Sequence, residues 1–272
     1  MPRTGTADGL YYEVHDGPPG AATVVASSGL GGSGAFWAPQ MEALAARFRV
    51  VLYDQRGTGR SMRVLTDPHS VDAMADDILA VMDAVGTPRF HLVGHAAGGL
   101  AGLALALSHP ERLDRLVVVN GWSKPDPHIA RCFEARTRLL KDSGVEAYVR
   151  AQPIFLYPPD WISANAERLA ADDTYHTAHA PTPEVMLARI DALLAFDIDA
   201  RLGEIATPVL VSASADDVLV PPLCSRRLAE GLGNATLAVA PWGGHAFTVT
   251  APQAFNASLV AFLAGEPQPS GD

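Results

Sequence analysis

Cysteine is scarce in this chain: Cys132 and Cys224 are the only two in 272 residues, and no C-x-x-C or Cys/His ligand spacing surrounds either. That excludes a disulfide framework and gives no sign of a zinc site, so both are read as free thiols. Basic charge is also in short supply, with 20 Lys+Arg against 30 Asp+Glu and a formal net charge of −10. Nucleic-acid binding needs clustered cations to neutralise phosphates, and none cluster here, so a small molecule is the expected partner. Long apolar runs are missing too. The longest, near Leu100–Leu107, is far below the roughly 18 residues that span a bilayer, and MPRTGTADGLYYEVHD at the start has no apolar h-region. No membrane association and a cytoplasmic location are the expectations.

What the chain does have is apolar side chain, 48% of its residues, enough for one large core. Strand-like runs recur at Leu10–Val14, Thr23–Ala26, Val50–Tyr53, Phe90–Val93, Leu116–Val119, Val209–Ser212 and Leu237–Ala240. Helix-period segments follow most of them, at Phe36–Phe48, Val71–Val85 with Ser70 as N-cap, Ala97–Ser108, Leu223–Leu232 and Phe255–Leu263. Strands alternating with helices predict right-handed crossovers and an α/β fold, a mostly parallel central sheet flanked by helices. Between Trp122 and Leu202 the strand signal vanishes, and helical text is broken by Pro153, Pro158, Pro159, Pro181 and Pro183. This predicts a helical cap over the sheet. The expected division is a core of 1–121 and 203–265, a cap of 122–202 and a disordered tail of 266–272.

Gly29-Leu30-Gly31-Gly32-Ser33-Gly34 is a literal G-x-G-x-x-G after a strand, with Asp54 25 residues beyond Gly29. Alone it suggests dinucleotide binding. A strand-like segment already precedes the supposed first strand, and no Tyr-x-x-x-Lys pair follows, so these glycines are assigned another use. No organic cofactor or metal is implied. Gly94-His95-Ala96-Ala97-Gly98, between a buried strand and an apolar helix, has the spacing of the nucleophile elbow G-x-S-x-G, with Ala96 in the nucleophile's place. Small flanking residues let strand and helix approach there. The plainer reading, two glycines punctuating a turn, weakens once partners are counted.

Those partners follow in the order elbow, acid, histidine that the α/β-hydrolase arrangement requires. Asp217, past the strand Val209–Ser212, is the candidate acid, and Asp216 is assigned to an Asx turn. His245, after Gly243-Gly244 and the last strand, is placed to reach back over the sheet edge. The N–H groups of Leu30 and Ala97 are the candidate oxyanion hole, backbone donors that survive the loss of a serine. Arg56, in Asp54-Gln55-Arg56-Gly57-Thr58-Gly59, is read as tying loops together through carbonyls. In the cap, Arg131, Arg136 and Arg138 recur at near-helical spacing, and a positive group suits a carboxylate-bearing substrate. Arg131 joins Gly29, Trp122 and Tyr157 as the candidate substrate-binding set. A solvated face for the arginines and simple packing for the aromatics stand beside that reading.

These residues resemble the α/β-hydrolase superfamily throughout the chain, and more closely the pyrimidine-utilisation protein D family of the uracil-degrading Rut pathway. The matching stretches are SGLGGSGAFWAPQ, VVLYDQRGTG, VGHAAGGLAG, NGWSKPDPHIARCFEAR, AQPIFLYPPDW, DDVLVPP and GGHAFTVT. Asn120-Gly121-Trp122, Arg131-Cys132-Phe133 and Phe155-Leu156-Tyr157-Pro158 are more particular to that family than the elbow. The resemblance implies an α/β-hydrolase fold with a helical cap and alanine as the usual elbow residue. It implies hydrolysis of carbamate to carbon dioxide and ammonia, or of aminoacrylate toward malonic semialdehyde and ammonia, without separating the two.

A methyl group cannot attack a carbonyl, so Ala96 forms no acyl-enzyme. What remains is His245, oriented by Asp217 and facing the amide pair across the space a serine would fill, where it can activate water. Two alternatives stay open on the residues alone: a conventional serine hydrolase whose elbow serine has been replaced by alanine, and a non-catalytic small-molecule binder on the same scaffold. A homodimer through the cap or a sheet edge is a further open expectation.

Overall fold

The computed structural model describes residues 2–268. Eight strands form one sheet: β1 (Arg3–Ala7), β2 (Leu10–His15), β3 (Thr23–Ser27), β4 (Arg49–Tyr53), β5 (Phe90–His95), β6 (Leu113–Val119), β7 (Val209–Ser214) and β8 (Ala235–Ala240). Their order is β1-β2-β4-β3-β5-β6-β7-β8. β2 pairs antiparallel with β1 and β4, and all other pairs are parallel. Every run read as a strand is one; β1 is additional. Of its RTGTA only Ala7 is buried, so this edge strand carries almost no apolar signal.

The helices are α1 (Met41–Ala45), α2 (Val71–Ala84), α3 (Ala97–Ser108), α4 (Pro127–Arg138), α5 (Gly144–Leu156), α6 (Pro159–Ala164), α7 (Ala166–His179), α8 (Pro183–Leu194), α9 (Pro222–Gly231), α10 (Phe247–Thr250) and α11 (Pro252–Ala264). Ser70 caps α2 by accepting from the N–H of Ala73 at 3.1 Å. The helix expected over Phe36–Phe48 is instead a 3-10 turn, Gly34–Gln40, followed by the short α1. Pro39 lies inside that turn, where it supplies no N–H to a helical ladder.

Alternation along the central strands feeds two cores. Leu116 and Val118 face α2 and α3 on one side, while Val117 and Val119 face Trp37, Leu44 and α11 on the other. Helices α4–α8 all lie between β6 and β7, and no strand interrupts them. This insertion is closed at its base where Ile198 N–H donates to Ser123 O at 2.9 Å, and it is stitched to the sheet domain where Ala246 N–H donates to Leu156 O at 2.9 Å. In the segment expected to be a disordered tail, Glu266 pairs with Arg47 at 2.6 Å and Gln268 bonds Ser258 at 2.5 Å. Residues 269–272 lie outside the described residues. Among the described residues no helix is long and apolar enough to cross a membrane.

Candidate active site

β5 ends at His95 and α3 begins at Ala97, so Ala96 alone reverses the chain. It does so at φ 43° and ψ −110°, a conformation that costs a residue with a β-carbon about 1–3 kcal/mol. The turn persists because both of its peptide groups are fixed: Ala96 N–H donates to Val119 O at 2.8 Å, and Leu100 N–H donates to Ala96 O at 2.9 Å. Gly94 and Gly98 make room for it. A β-carbon on Gly94 would stand 2.3 Å from the carbonyl oxygen of Gly98, and one on Gly98 2.2 Å from that of Ser27.

Asp217 lies on the loop leaving β7. Its Oδ1 accepts from the N–H groups of Leu219 (2.8 Å) and Val220 (2.9 Å), and its Oδ2 lies 2.8 Å from Nδ1 of His245. Both side chains are buried. A carboxylate only accepts, so Nδ1 of His245 carries the proton and Nε2 of the neutral ring keeps its lone pair. The carbonyl of His245 is held as well, accepting from Nε2–H of His95 at 2.8 Å and from Nδ2 of Asn120 at 2.5 Å. The rings of His95 and His245 stand 4.7 Å apart.

Asn120 is a positioning residue, named in the sequence only as part of the family-particular Asn120-Gly121-Trp122 and without a role at the site. It sits at φ 49° just past β6, a region asparagine tolerates better than most residues, and its Oδ1 also accepts from Ser214 N–H at 3.2 Å. An Asn-Gly pair ending a buried strand was the available signal. Asp216 joins the same loops, accepting from Ser214 Oγ (2.6 Å), Gly244 N–H (2.9 Å) and Gly243 N–H (3.3 Å). Burial pushes its pKa upward, but the Ser214 hydroxyl and those amides prevail and hold it below the ordinary carboxylate range.

Ala97 opens α3, so its N–H has no intrahelical acceptor. Neither it nor Leu30 N–H donates to a protein acceptor among the described residues, whereas Gly98 N–H is taken by Ser28 O at 3.1 Å. The Leu30 loop is pinned from above by Arg189 of α8. Its Nη2 donates to Leu30 O (3.2 Å) and Gln55 Oε1 (2.5 Å), and its Nη1 to Arg56 O (2.9 Å). Burial lowers the pKa of this guanidinium to about 10. No local pattern marks Arg189 in the sequence. Gly29 must lack a side chain, because a β-carbon there would lie 2.7 Å from Nδ1 of His95.

Other expected residues fall elsewhere. Arg131 is exposed on α4, and Arg138 pairs with Glu134 at 3.2 Å on the same solvated side; the buried arginine is Arg136. Five helical steps of about 100° put Arg131 and Arg136 roughly 140° apart around the axis. Trp122 is enclosed in the core cluster that also holds Ala96 and Leu100, as a packing residue. Tyr157 stacks on Trp161 at 4.4 Å and lines a cleft of about 660 Å³ with Cys132, Phe155, Val218 and Gly244. Arg56 ties loops together through carboxylates rather than carbonyls, reaching Asp77 and Asp8 at 2.7 Å each. A guanidinium fork matches a carboxylate better than a single carbonyl oxygen. Asp54, the acid of the G-x-G-x-x-G pattern, is committed to Gly34 N–H (2.9 Å) and Arg60 Nε (2.7 Å).

Sheet order, the turn at Ala96 and the buried acid–histidine couple together define an α/β hydrolase, and a family model described as the alpha/beta hydrolase fold matches residues 22–252. Among its relatives, "Putative carbamate hydrolase RutD" of Caulobacter sp. (strain K31) is 68% identical over 265 residues, covering 97% of this chain and 99% of that one. The protein of the same description from Variovorax paradoxus (strain S110) is 56% identical over 256 residues, covering 94% and 96%. The chain belongs to the RutD family of α/β hydrolases. Among solved structures, the enol-lactonase from Burkholderia xenovorans LB400 matches with a TM-score of 0.86 at 26% identity, covering 96% of this chain and 100% of that one.

Proposed function

We propose that this chain hydrolyses a small, labile nitrogen compound, carbamate or 3-aminoacrylate, in pyrimidine nitrogen catabolism, with water as the nucleophile. The observation that carries the reading is the pairing of an elbow occupied by alanine, at φ 43°, with an intact His245–Asp217 couple at 2.8 Å. The names of the relatives support the carbamate substrate, and the motif resemblance supports both. In the proposed step His245 Nε2 takes a proton from water as its oxygen bonds to the carbon bearing nitrogen. Leu30 and Ala97 N–H stabilise the oxyanion that carbamate develops. The imidazolium, stabilised by Asp217, then returns the proton to nitrogen as the carbon–nitrogen bond breaks and ammonia leaves. Carbamate and water give bicarbonate and ammonia; aminoacrylate, through its imine, gives malonic semialdehyde and ammonia.

The magnitude suits the substrate class. Serine hydrolases deprived of a triad member keep about 10³–10⁴-fold acceleration over water, which is little for a peptide bond and sufficient for compounds that decay unaided. The test is ammonia release from freshly prepared carbamate and aminoacrylate. Acceleration over buffer that is lost in His245→Ala supports the proposal, and a rate equal to buffer ends it.

A further inference from the structure

Arg189 of α8 is 2% exposed, and every hydrogen bond of its guanidinium crosses from the insertion into the sheet domain. Its three acceptors, Leu30 O, Gln55 Oε1 and Arg56 O, are all uncharged, and Nε is enclosed with no protein acceptor among the described residues. A buried guanidinium served only by neutral oxygens is a poor stabiliser, and an apolar side chain of similar volume would seat α8 at least as well. What the planar fork adds is a fixed arrangement of the groups it bonds.

Those groups converge on one short loop. Residues 29–32 are Gly-Leu-Gly-Gly, so packing has a single side chain by which to hold it. Hydrogen bonds grip the chain instead at alternate residues: Gln55 Nε2 donates to Ser28 O at 2.7 Å, Arg189 Nη2 to Leu30 O at 3.2 Å, and Gln55 N–H to Gly32 O at 2.8 Å. The Gln55 amide can face only one way, because Ser28 O requires a donor and the guanidinium requires an acceptor. Ser28 O also accepts from Gly98 N–H at 3.1 Å, beside Ala97 in the first turn of α3. Arg189, Gln55 and Ser28 O therefore join α8 to both segments that carry the candidate donors, Leu30 N–H and Ala97 N–H. Covalent geometry keeps Arg189 Nη2 within about 7 Å of the Leu30 nitrogen.

We infer that Arg189 and Gln55 are positioning residues for the oxyanion hole, and that the hole is assembled only while α8 is seated on the Leu30 loop. This deepens the hydrolase reading and rests on it. With α8 in place, both amides are aimed before the reaction begins. With Arg189 withdrawn, a loop of three glycines regains many conformations and the aim is lost. Neither side chain has to touch substrate, so the pair governs kcat rather than KM.

The test combines peptide-resolved hydrogen–deuterium exchange on the full chain with steady-state ammonia release. In Arg189→Met, exchange across residues 28–34 should quicken tenfold or more while β7 is unchanged. The kcat should fall about 100-fold with KM within about threefold, and the pH dependence conferred by His245 should stay where wild type has it. Gln55→Leu should do the same, and the double variant should lose little more than either single one, because both act on one loop. Arg189→Lys, which keeps the charge without the fork, should recover no more than about tenfold of the loss. Should Arg189→Met fail to fold, Arg189→Lys and Gln55→Leu carry the same comparison. Unchanged exchange across 28–34, faster exchange with kcat intact, or losses that multiply in the double variant overturn the inference and leave the hydrolase reading standing. If wild type releases no ammonia, the hydrolase reading falls by itself, and exchange still decides whether α8 holds the loop.

Discussion

Oδ2 of Asp217 and Nδ1 of His245 meet at 2.8 Å across two loops that are 28 residues apart, and the other carboxylate oxygen is fixed by the amides of Leu219 and Val220. Asp217→Asn substitutes an amide that can turn its NH₂ toward Nδ1 and reverse the tautomer of the ring. The kcat for ammonia release should fall about 10²–10⁴-fold with KM within about threefold. Steady-state kinetics check this, and an unchanged kcat would contradict the role given to the pair.

Ala96→Ser introduces a hydroxyl where the proposed water sits. Ammonia release from the native substrate should drop about tenfold or more, because the nucleophile is displaced by a group that forms a slower-clearing adduct. Labelling by a fluorophosphonate, absent in wild type, should appear. A serine variant that releases ammonia faster than the parent would point to the conventional serine chemistry left open by the residues.

Gly98→Ala should be among the most damaging single-methyl changes in the chain. Its β-carbon would stand 2.2 Å from the Ser27 carbonyl oxygen, and neither backbone can retreat without opening the sheet at β3 and β5. A loss of about 4 kcal/mol or more in chemical denaturation, or failure to fold, is expected. Gly203→Ala, with open space around it, should stay within about 0.5 kcal/mol.

His95 makes stability depend on pH. Burial first, and the neighbouring His245 second, push its pKa down to about 3, against about 6.5 in the unfolded chain. Between those values the unfolded chain binds a proton that the folded chain refuses. The contribution is therefore complete above about pH 6.5 and is lost as pH falls toward about 3. His95→Gln keeps a donor for the His245 carbonyl but does not titrate. Urea unfolding between about pH 6 and 5 should show a slope shallower by about 1.4 kcal/mol per pH unit than in wild type.

Much of this architecture can be read without coordinates, for physical reasons. Gly94 and Gly98 stand out because no side chain fits where β5 and α3 touch, and Asp217 and His245 stand out because each follows a strand whose end lies on the same edge of the sheet. Other features depend on contacts between segments remote in the chain. Which of Arg131, Arg136 and Arg138 turns inward is decided by how α4 packs on α5, and Arg189 gains meaning only when α8 is laid over the Leu30 loop. Asn120 reads as a turn residue until Ser214 and His245 arrive on either side of it. Trp122 illustrates the opposite error, since an aromatic at the mouth of an insertion is as suited to the core as to a ligand.

Electron density beside Ala96 in a high-resolution crystal of the unliganded protein tests water as the nucleophile most directly. The expected result is an ordered water within hydrogen-bonding distance of His245 Nε2 and of the N–H groups of Leu30 and Ala97. Density showing that space filled by protein, or His245 Nε2 committed to a protein group, would contradict it.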